Sequence, residues 1–535
     1  MPAHAHERQP FVRPPELSGG TTDASVAVVG AGPVGLAVAV DLALHGVRSV
    51  VLDDNDVVSV GSRAICWAKR TLEIFDRLGV GGRMLEKGVT WKVGRLFHGD
   101  EELFRFDLLP EDGHRFPAFV NLQQPYVEQY LIERARAFPD LIDLRFRHRV
   151  TGHAETADGV RLAVETPDGP YGFDVRYLVA CDGARSPTRG RMGLPFDGET
   201  FEEKFLIADV EMPDGPFGEG PTERRFWFDP TFHPGKSALL HRQPDDVYRI
   251  DLQLDPGADA AAEAAEERVV PRIRAMVGDR PFRLDWVSVY TFRCARLERF
   301  VHGRTIFAGD SAHLVSPFGA RGGNGGIHDA DNLGWKLAAV VRGEAPEGLL
   351  ATYDEERGRG ADENIACSSR ATRFMQAAEP EAWGFRQAIL ALARSAPAVR
   401  GMINSGRLSQ PCALGGTSAV TDGGNGTIAA GAPCPDAPLG GGWLLSRLGG
   451  RFSLLAVGTP GPDAAAGLPV LHVRDEAEVA ARYGRGVFLV RPDQHVAAVF
   501  GGFDAEAIRA AHRRALARGA RGAPRRAAGG GRTAA

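Results

Sequence analysis

The sequence predicts a multidomain protein of the mixed α/β class, and three observations lead to this prediction. A strand–helix–strand pattern occupies residues 25–52, close to the N-terminus. A β-rich region with several turn signals runs from about residue 201 to 300. Beyond a Gly- and Pro-rich break over 411–442, strand-like and helical stretches alternate as far as residue 517. With 535 residues, the chain is long enough for about three domains.

The individual elements follow from hydrophobic periodicity and from the turn residues between them. Predicted strands cover 25–29, 49–52, 176–180, 226–228, 237–240, 248–254, 286–292 and 305–308. Predicted helices cover 34–45, 125–137 and 327–341, and further helices are expected up to about residue 407.

The composition is that of an ordinary globular protein, with 44% hydrophobic and 24% charged residues. The net charge of −5 gives no reason to expect a nucleic acid or an anionic membrane as a partner. The six cysteines lack paired or zinc-ligand spacing, so we expect no metal site and a reducing, cytoplasmic location. The polar, Pro-rich first twenty residues do not have the pattern of a signal peptide.

A glycine motif stands between the first predicted strand and the first predicted helix. In it, Gly30 permits a tight turn, Gly32 permits close approach of a pyrophosphate, and Gly35 lets the helix pack closely on the strand. Asp53 ends the second strand, where an acid can bind a ribose hydroxyl. The strand–turn–helix context and the acid together predict a dinucleotide site.

Two later motifs also follow predicted buried strands. Asp182 and Gly183 come directly after the strand 176–180, where they either contact phosphates or cap a helix. Gly309 and Asp310 follow the strand 305–308 and lead into a glycine-rich loop and a helix. A strand followed by an acid, a glycine-rich loop and a helix is an arrangement that brings backbone N–H groups close to an anionic ligand. Because this motif comes so late in the chain, the ligand is held from both ends of the sequence, which indicates a large cofactor.

The three motifs, in this order and spacing, resemble those of the FAD-dependent aromatic hydroxylases of the para-hydroxybenzoate hydroxylase fold, the class A flavoprotein monooxygenases. Three further segments resemble the subgroup with 3-(3-hydroxyphenyl)propionate hydroxylase and polyketide hydroxylases: Ser62-Arg63-Ala64-Ile65-Cys66, Phe226-Trp227-Phe228-Asp229-Pro230 and Arg491-Pro492-Asp493 with His495. The resemblance covers about residues 25–498. It implies a Rossmann-like FAD-binding domain with an inserted β-sheet substrate domain, and a C-terminal thioredoxin-like domain.

The resemblance also implies domain boundaries. The FAD-binding domain and its following helices would comprise 23–90, 123–200 and 296–410, and the substrate domain 91–122 and 201–295. The thioredoxin-like domain would comprise 430–517. Residues 1–22 and 518–535 are expected to be disordered.

The resemblance implies a role for each motif residue. Gly30, Gly32 and Gly35 would hold the FAD pyrophosphate, Asp53 the adenosine ribose, and Arg63 and Gln124 the pyrophosphate and ribityl region. Asp182 and Gly183 would serve both FAD and NAD(P)H, and Gly309 and Asp310 would bind the ribityl chain. Pro317 would lie near the reactive carbon of the flavin, with the amides of Gly322, Gly323 and Asn324 facing its pyrimidine end. We therefore expect Pro317, Gly323 and Asn324 to act in catalysis, because helix N-terminal amides stabilise the negative charge of a reduced flavin.

The implied activity is hydroxylation of a phenolic or polyketide-type aromatic compound with NAD(P)H and O2, and a homodimer is plausible. Related epoxidation, Baeyer–Villiger insertion or dehalogenation stays open, as does a non-catalytic flavin-binding redox module. The sequence identifies no base for the phenol, although His233, His241 and Tyr248 are candidates.

Several residues carry more local expectations. Strand alternation would place Phe226 and Phe228 on one face of the sheet and Trp227 on the other. His313 is expected to pack or to lie at a helix end. Asp329 and Asp331 are expected in the first turn of the helix that follows the glycine loop, where they would favour its dipole. Gly325 stands where the family pattern has Ser or Thr.

Overall fold

The computed structural model describes residues 8–61, 63–217, 222–377, 379–403, 409–474 and 476–518. The strands of these residues, β1 to β27, are Val26–Val29, Ser49–Asp53, Cys66–Ala68, Val89–Trp91, Val93–His98, Glu101–Asp107, Phe119–Asn121, Ile142–Phe146, Arg149–Glu155, Val160–Thr166, Gly169–Val175, Tyr177–Ala180, Asp197–Glu211, Arg224–Phe228, Ser237–Arg242, Val247–Leu254, Arg283–Arg296, Val301–His302, Thr305–Phe307, His313–Leu314, Pro438–Leu439, Gly442–Trp443, Ser453–Val457, Ala464–Ala465, Leu468–Val473, Gly486–Val490 and Val496–Phe500. Their helices, α1 to α13, are Pro33–Leu44, Lys69–Leu78, Gly81–Lys87, Gln124–Arg136, Pro187–Arg191, Ala260–Glu263, Glu266–Val277, Gly322–Val341, Leu349–Gln376, Pro380–Ala393, Pro397–Arg400, Ala477–Tyr483 and Ala505–Ala515. The predicted mixed α/β class is confirmed.

A six-stranded sheet with the order β18-β19-β12-β1-β2-β8 forms the centre of the first domain. All its strand pairs are parallel except that of the edge strand β18. Every residue of β1 is buried, because α1 and α8 cover one face and a three-stranded sheet, β9 to β11, covers the other. Since β1, β12 and β19 are neighbours and parallel, the three sequence motifs that follow them meet at one edge of the sheet.

The second sheet has eight strands in the order β20-β17-β13-β16-β15-β14-β5-β6. On one face Trp227 packs with Leu240 and with Ile273 of α7. On the other face Phe226 and Phe228 pack with residues of α9 and α10. The alternation predicted for the aromatic run of β14 is therefore confirmed.

The C-terminal region has a five-stranded sheet, β24-β25-β23-β26-β27, flanked by α12 and α13. The pair β23 and β25 is parallel, and the other pairs are antiparallel. Its assignment as a thioredoxin-like domain stays a prediction. Cys434 is buried here, and burial raises the pKa of its thiol to about 12, which disfavours the reactive thiolate.

The N-terminal segment differs from the prediction. Disorder was expected for 1–22, but residues 8–22 have a defined path that includes a short 3-10 helix, Pro15–Ser18. Glu16 pairs with the buried Arg145 at 3.1 Å, and the buried Gln9 donates its backbone N–H to Asp56. Glu16 is thus held by a buried partner far along the chain, which the composition of the segment does not reveal. Residues 1–7, Ser62 and the predicted tail from 519 lie outside the described residues.

A buried ionic cluster joins the C-terminal domain to α8 and α9. The Arg491 guanidinium donates to both oxygens of Glu356, at 2.7 and 2.9 Å, and to Asp493 at 2.5 Å. Lys336 donates to Glu356 at 2.6 Å, and Trp335 donates its indole N–H to Asp493. Burial raises the pKa of Glu356, but the charges of Arg491 and Lys336 outweigh burial and hold that pKa at about 2.

No helix among the described residues is both long enough and apolar enough to cross a bilayer.

Replacing Arg491 by Met should destabilise the protein by about 3–5 kcal/mol, because one partner of a buried ion pair is left uncompensated. Urea unfolding followed by circular dichroism measures this change. Arg509→Gln, at an exposed position of α13 in the same domain, is the matched control and should change the stability by less than about 0.5 kcal/mol. Equal, small effects of the two variants would contradict a stabilising role for the cluster.

Candidate functional site

Three loops from distant parts of the chain line one recess at the carboxyl edge of the six-stranded sheet. They follow β1, β12 and β19, which are adjacent in the sheet. We call the space that they bound, together with the start of α8, the edge recess. In open α/β sheets this edge is where ligands bind.

The first loop has the glycine geometry that the sequence motif predicts. Gly30 has φ +104°, and a Cβ there would lie 2.4 Å from the carbonyl oxygen of Cys181. A Cβ on Gly35 would lie 2.0 Å from the carbonyl oxygen of Gly30. A Cβ on Gly32 would meet no protein atom within 4 Å. Gly30 and Gly35 therefore serve packing, whereas Gly32 keeps open space at the N-terminus of α1, where a phosphate fits.

Asp53 lies beside this first loop, as predicted. One carboxylate oxygen accepts the N–H of Ala31 at 2.6 Å, and the other accepts that of Asn55 at 2.9 Å. Burial raises the pKa of Asp53, although these bonds oppose the shift. Oδ1 also accepts the side-chain amide of Asn55 at 2.9 Å, whereas Oδ2 accepts only the Ala31 N–H and can accept a further hydrogen bond from a hydroxyl group.

Gln124 and Arg63 have different surroundings. The side-chain amide of Gln124 accepts the N–H of Ala64 at 3.1 Å and donates to Ser59 and Glu128, so it fixes the loop before β3. Arg63 is exposed, and its charge opposes the burial that raises the pKa of Asp310, so the two side chains lie within electrostatic range of each other.

Asp182 caps a helix in this structure. Its carboxylate accepts the hydroxyl of Ser186 at 2.5 Å and the N–H of Thr188 at 2.9 Å, at the start of α5. Gly183 has φ +78°, which favours glycine. The sequence left two roles open for Asp182, phosphate contact and helix capping. The hydrogen bonds in the structure are those of helix capping.

The third loop is packed tightly against the first helix. A Cβ on Gly309 would lie 2.9 Å from Val34, and one on Gly326 would lie 2.6 Å from the same side chain. Ser311 donates its hydroxyl to the carbonyl oxygen of Ala180 at 2.6 Å, which ties this loop to the end of β12. The Asp310 side chain remains open to the recess, although surrounding protein atoms desolvate it enough to raise its pKa.

The glycine-rich loop ends in α8, which begins at Gly322 and not at residue 327 as predicted. Glycine has a low helix propensity, but packing overrides it here. A Cβ on Gly323 would lie 3.2 Å from Ala64, and one on Gly325 would lie 3.2 Å from Asn364 and 3.4 Å from His313, so bulkier residues would need their neighbours to move. The amides of the first helical turn have no intrahelical acceptor and are available to a ligand.

The Asn324 side chain holds the glycine loop to β3. Its oxygen accepts the N–H of Ala68 at 2.9 Å, and its nitrogen donates to the carbonyl oxygens of Cys66 at 2.9 Å and Ala320 at 2.6 Å. Ala320 has φ +53°, a left-handed conformation that is strained for alanine. The side chain therefore positions the loop that carries the exposed Pro317, and only the backbone amide of Asn324 is left for a ligand.

Asp329 does not lie in the first turn of the helix, and this expectation is wrong. It lies seven residues into α8 and is fully buried. Its carboxylate accepts the N–H of Gly309 at 2.9 Å, His313 Nε2 at 2.6 Å and Arg357 Nε at 2.7 Å. Burial raises the pKa of Asp329, but His313 and Arg357 outweigh burial and hold it at about 2. The sequence hides this role because all three partners are distant.

Asp331 was also expected to favour the helix dipole, but it pairs with two buried arginines. It accepts Arg77 at 2.6 Å and Arg70 at 3.4 Å.

A largely apolar cavity, the aromatic pocket, adjoins the glycine loop. Its lining residues are Arg95, Leu96, Phe106, Arg224, Phe226, Phe228, Phe318, Gly319, Ala371, Phe374, Met375 and Ile403. Phe318 and Gly319 directly follow Pro317, so the pocket opens beside the loop that closes the edge recess. The sequence identified Phe226 and Phe228 as candidates for an aromatic pocket. The lining residues from β5 and α9 could be recognised only from the fold.

The candidate bases do not line this pocket. His233 Nε2 lies 2.7 Å from the carbonyl oxygen of Gln253. Burial, followed by the charges of Arg224 and Arg249, places the pKa of His241 well below its usual value, so His241 is neutral.

Comparison with known proteins agrees with this geometry. The family described as FAD binding domain matches residues 23–368. The 3-(3-hydroxy-phenyl)propionate/3-hydroxycinnamic acid hydroxylase of Mycolicibacterium gilvum (strain PYR-GCK) is 33% identical over 71% of this chain and 65% of that protein. The 12-dehydrotetracycline 5-monooxygenase/anhydrotetracycline 6-monooxygenase of Streptomyces rimosus subsp. rimosus is 33% identical over 69% of this chain and 73% of that protein. The chain thus spans less than two thirds of the hydroxylase and more of the tetracycline enzyme.

Solved structures show the same fold. The flavin-dependent monooxygenase PieE, in complex with FAD and substrate, has a TM-score of 0.79 at 24% identity, over 92% of this chain and 99% of that one. The rebeccamycin biosynthetic enzyme RebC with reduced flavin has a TM-score of 0.72 at 26% identity, over 93% of this chain and all of that one.

Gly32→Ala and Gly35→Ala should separate ligand binding from packing. Gly32→Ala places a methyl group in open space, so the apoprotein should keep its melting temperature while FAD binds at least about tenfold more weakly. Gly35→Ala forces a backbone contact and should lower the apoprotein melting temperature itself. Calorimetry and fluorescence titration with FAD measure both effects. A Gly32→Ala apoprotein as destabilised as the Gly35→Ala apoprotein would show that Gly32 serves packing and not the ligand.

Asp329→Asn should lower the free energy of unfolding by about 3 kcal/mol or more, because Arg357 loses its buried counter-charge. FAD affinity should fall as well, since the Gly309 loop loses an acceptor. Because the folded-state pKa of about 2 lies below the usual 3.8, the wild-type contribution is present above about pH 4 and is lost as the pH falls towards 2.

The control for this variant is Asp362→Asn, whose exposed carboxylate pairs with Arg296 at 2.6 Å. It should cost less than about 1 kcal/mol. Denaturant unfolding and FAD titration of both variants test the difference, and unchanged FAD binding in Asp329→Asn would contradict the role assigned to Asp329.

Proposed function

The chain belongs to the FAD-binding domain family, and we propose that it is an FAD-dependent monooxygenase that hydroxylates a phenolic or polyketide-type aromatic substrate with NAD(P)H and O2. One observation carries the proposal. Three loops from distant parts of the chain converge on the edge recess, and an aromatic pocket lies beside the loop that carries Pro317. The names of the hydroxylase and tetracycline relatives support an aromatic substrate.

The residues of the edge recess fit FAD. The open space at Gly32 and the N-terminus of α1 suit the pyrophosphate, and Asp53 suits the adenosine ribose. Arg63 and Asp310 would hold the middle of the cofactor, and the amides of 322–324 its pyrimidine end. When bound, the flavin supplies hydride uptake and oxygen activation, which no protein side chain provides.

The protein contributes positioning and electrostatics. The N-terminal amides of α8 point partial positive charge at the end of the recess where a reduced flavin is negative. Pro317 would lie at the reacting edge of the cofactor, and the strained Ala320, held by Asn324, sets the path of that loop. Phenylalanines of the aromatic pocket would hold the substrate ring and exclude water.

The domain boundaries, the cellular location, the oligomeric state and the nicotinamide site are also proposals. The first domain would comprise 23–90, 123–200 and 296–410, the substrate domain 91–122 and 201–295, and a thioredoxin-like domain 430–517. A cytoplasmic location and a homodimer remain proposals, and fractionation and light scattering would test them. Asp182 and Gly183 would approach NAD(P)H from the second loop, since the dinucleotide motif is already assigned to FAD.

Turnover of FAD-loaded protein under oxygen-18 tests the proposed activity. With NADH or NADPH and a panel of phenols, we expect substrate-stimulated oxidation of the nicotinamide and one labelled oxygen atom in the product. The Gly32→Ala variant at the same total FAD concentration is the matched control and should be slower in proportion to its lower FAD occupancy. Nicotinamide oxidation that gives only hydrogen peroxide across the panel, or a product labelled from water, would contradict the proposal.

A further inference from the structure

One charged side chain of the aromatic pocket has no counter-charge. Arg224 begins β14 and lines the pocket on the same face as Phe226 and Phe228. Within the described parts of the chain its guanidinium makes no hydrogen bond and no ion pair, and its Nε atom is buried without a partner. Among the described residues, the pocket lining contains no Asp or Glu.

The neighbouring arginines differ from Arg224 because acids neutralise them. Arg95, also in the lining, lies 2.6 Å from Glu223 and 3.3 Å from Glu102. Arg249 donates to Asp251 at 2.7 Å and to the carbonyl oxygen of Arg63 at 3.1 Å.

The groups that face Arg224 leave its charge exposed to the pocket. After desolvation, Cys66 and then Asp251 act to raise the pKa of Arg224, and Arg249 acts to lower it. Burial raises the pKa of the Cys66 thiol to about 11, so Cys66 is uncharged at neutral pH, and Asp251 is bonded to Arg249. Desolvation is the largest influence on Arg224, and it lowers the pKa of that side chain. Burial lowers the pKa of His241 most, and the charges of Arg224 and Arg249 lower it further, so His241 is neutral.

Arg224 is partly buried, and its unpaired guanidinium in a pocket with five phenylalanines is more stable when a ligand neutralises it. A planar oxyanion is the partner that a guanidinium fork binds best, and the bond is strengthened where water is excluded. The apolar walls would hold a ring, while the arginine would fix one end of the molecule.

We propose that Arg224 binds an anionic oxygen group of the aromatic substrate, a carboxylate or an ionised phenol. This inference rests on the proposed function, because it assumes that the aromatic pocket is the substrate site. It also accounts for the lack of a base in the lining: a fixed positive charge lowers the pKa of a bound phenol without accepting its proton.

The test compares charged and neutral ligands of the same shape on FAD-loaded protein. Hydroxyphenyl carboxylates of increasing length, from 3-hydroxybenzoate upward, are each paired with their carboxamide, and dissociation constants are measured by calorimetry. Wild-type protein should prefer one or more acids over the matched amide, and Arg224→Met should weaken that acid by about 10- to 100-fold with little change for the amide. Arg224→Lys should restore part of the preference.

A second arm separates a phenol from a carboxylate. The visible absorbance of bound 4-nitrophenol, titrated with pH, reports the pKa of the bound phenol. A pKa that is lowered in wild-type protein and returns towards the solution value in Arg224→Met supports an ionised phenol. The matched control in both arms is Arg225→Gln, one residue along on the opposite face of β14, where Arg225 pairs with Glu223 at 2.9 Å.

The proposal is overturned if Arg224→Met changes neither the acid preference nor the nitrophenol pKa. It is also overturned if Arg224→Met weakens FAD itself while ligand discrimination stays unchanged, since Arg224 would then serve the cofactor. Melting temperatures and FAD content of Arg224→Met and Arg224→Lys show that the fold is intact. Binding is measured without turnover, so the two proposals can fail separately. An acid preference in a protein that hydroxylates nothing would reject the proposed function and leave this inference standing. Hydroxylation that does not depend on Arg224 would reject this inference and leave the proposed function standing.

Discussion

The buried carboxylate of Asp329 is the constraint on which the site depends. It joins the loop after β19 to α8 through Gly309, and it joins both to α9 through Arg357. Together with the packing of Gly309 and Gly326 against Val34, this carboxylate fixes the first part of α8 relative to the Asp310 loop. A buried carboxylate with three hydrogen-bond donors, two of them basic side chains, is stable where an unpaired one would not be, so a neutral substitute weakens the site.

Helix α8 carries this constraint in two directions. Its N-terminal amides face the edge recess, whereas Asn332 and Lys336, further along, meet the Glu356–Arg491 cluster of the C-terminal domain. The C-terminal domain thus helps to set the position of the helix whose first turn would bind the flavin. This arrangement gives that domain a structural role without any thiol chemistry, in agreement with the burial of Cys434.

Local patterns predicted the parts of the site that depend on local geometry. The turn at Gly30, the packing at Gly35 and the alternation of Phe226 and Trp227 each follow from backbone sterics or strand periodicity, and the structure has all of them. What the sequence could not predict depends on partners far along the chain. Asp329 and Asp331 look like ordinary acids of a helix start, and no motif marks Arg224, until the fold shows which of them are paired. The start of α8 was misplaced because packing against Ala64 and His313 compensates for glycine.

Loops from distant parts of the chain would bind one FAD molecule together, and Asp329 would hold the Gly309 loop to α8. Hydrogen–deuterium exchange with and without FAD tests this claim directly. In the wild-type protein, FAD should slow amide exchange in all three segments, 30–35, 309–312 and 322–326. In Asp329→Asn with saturating FAD, protection should persist in the first segment and weaken in the other two. Protection confined to 30–35 in the wild-type protein would contradict the account.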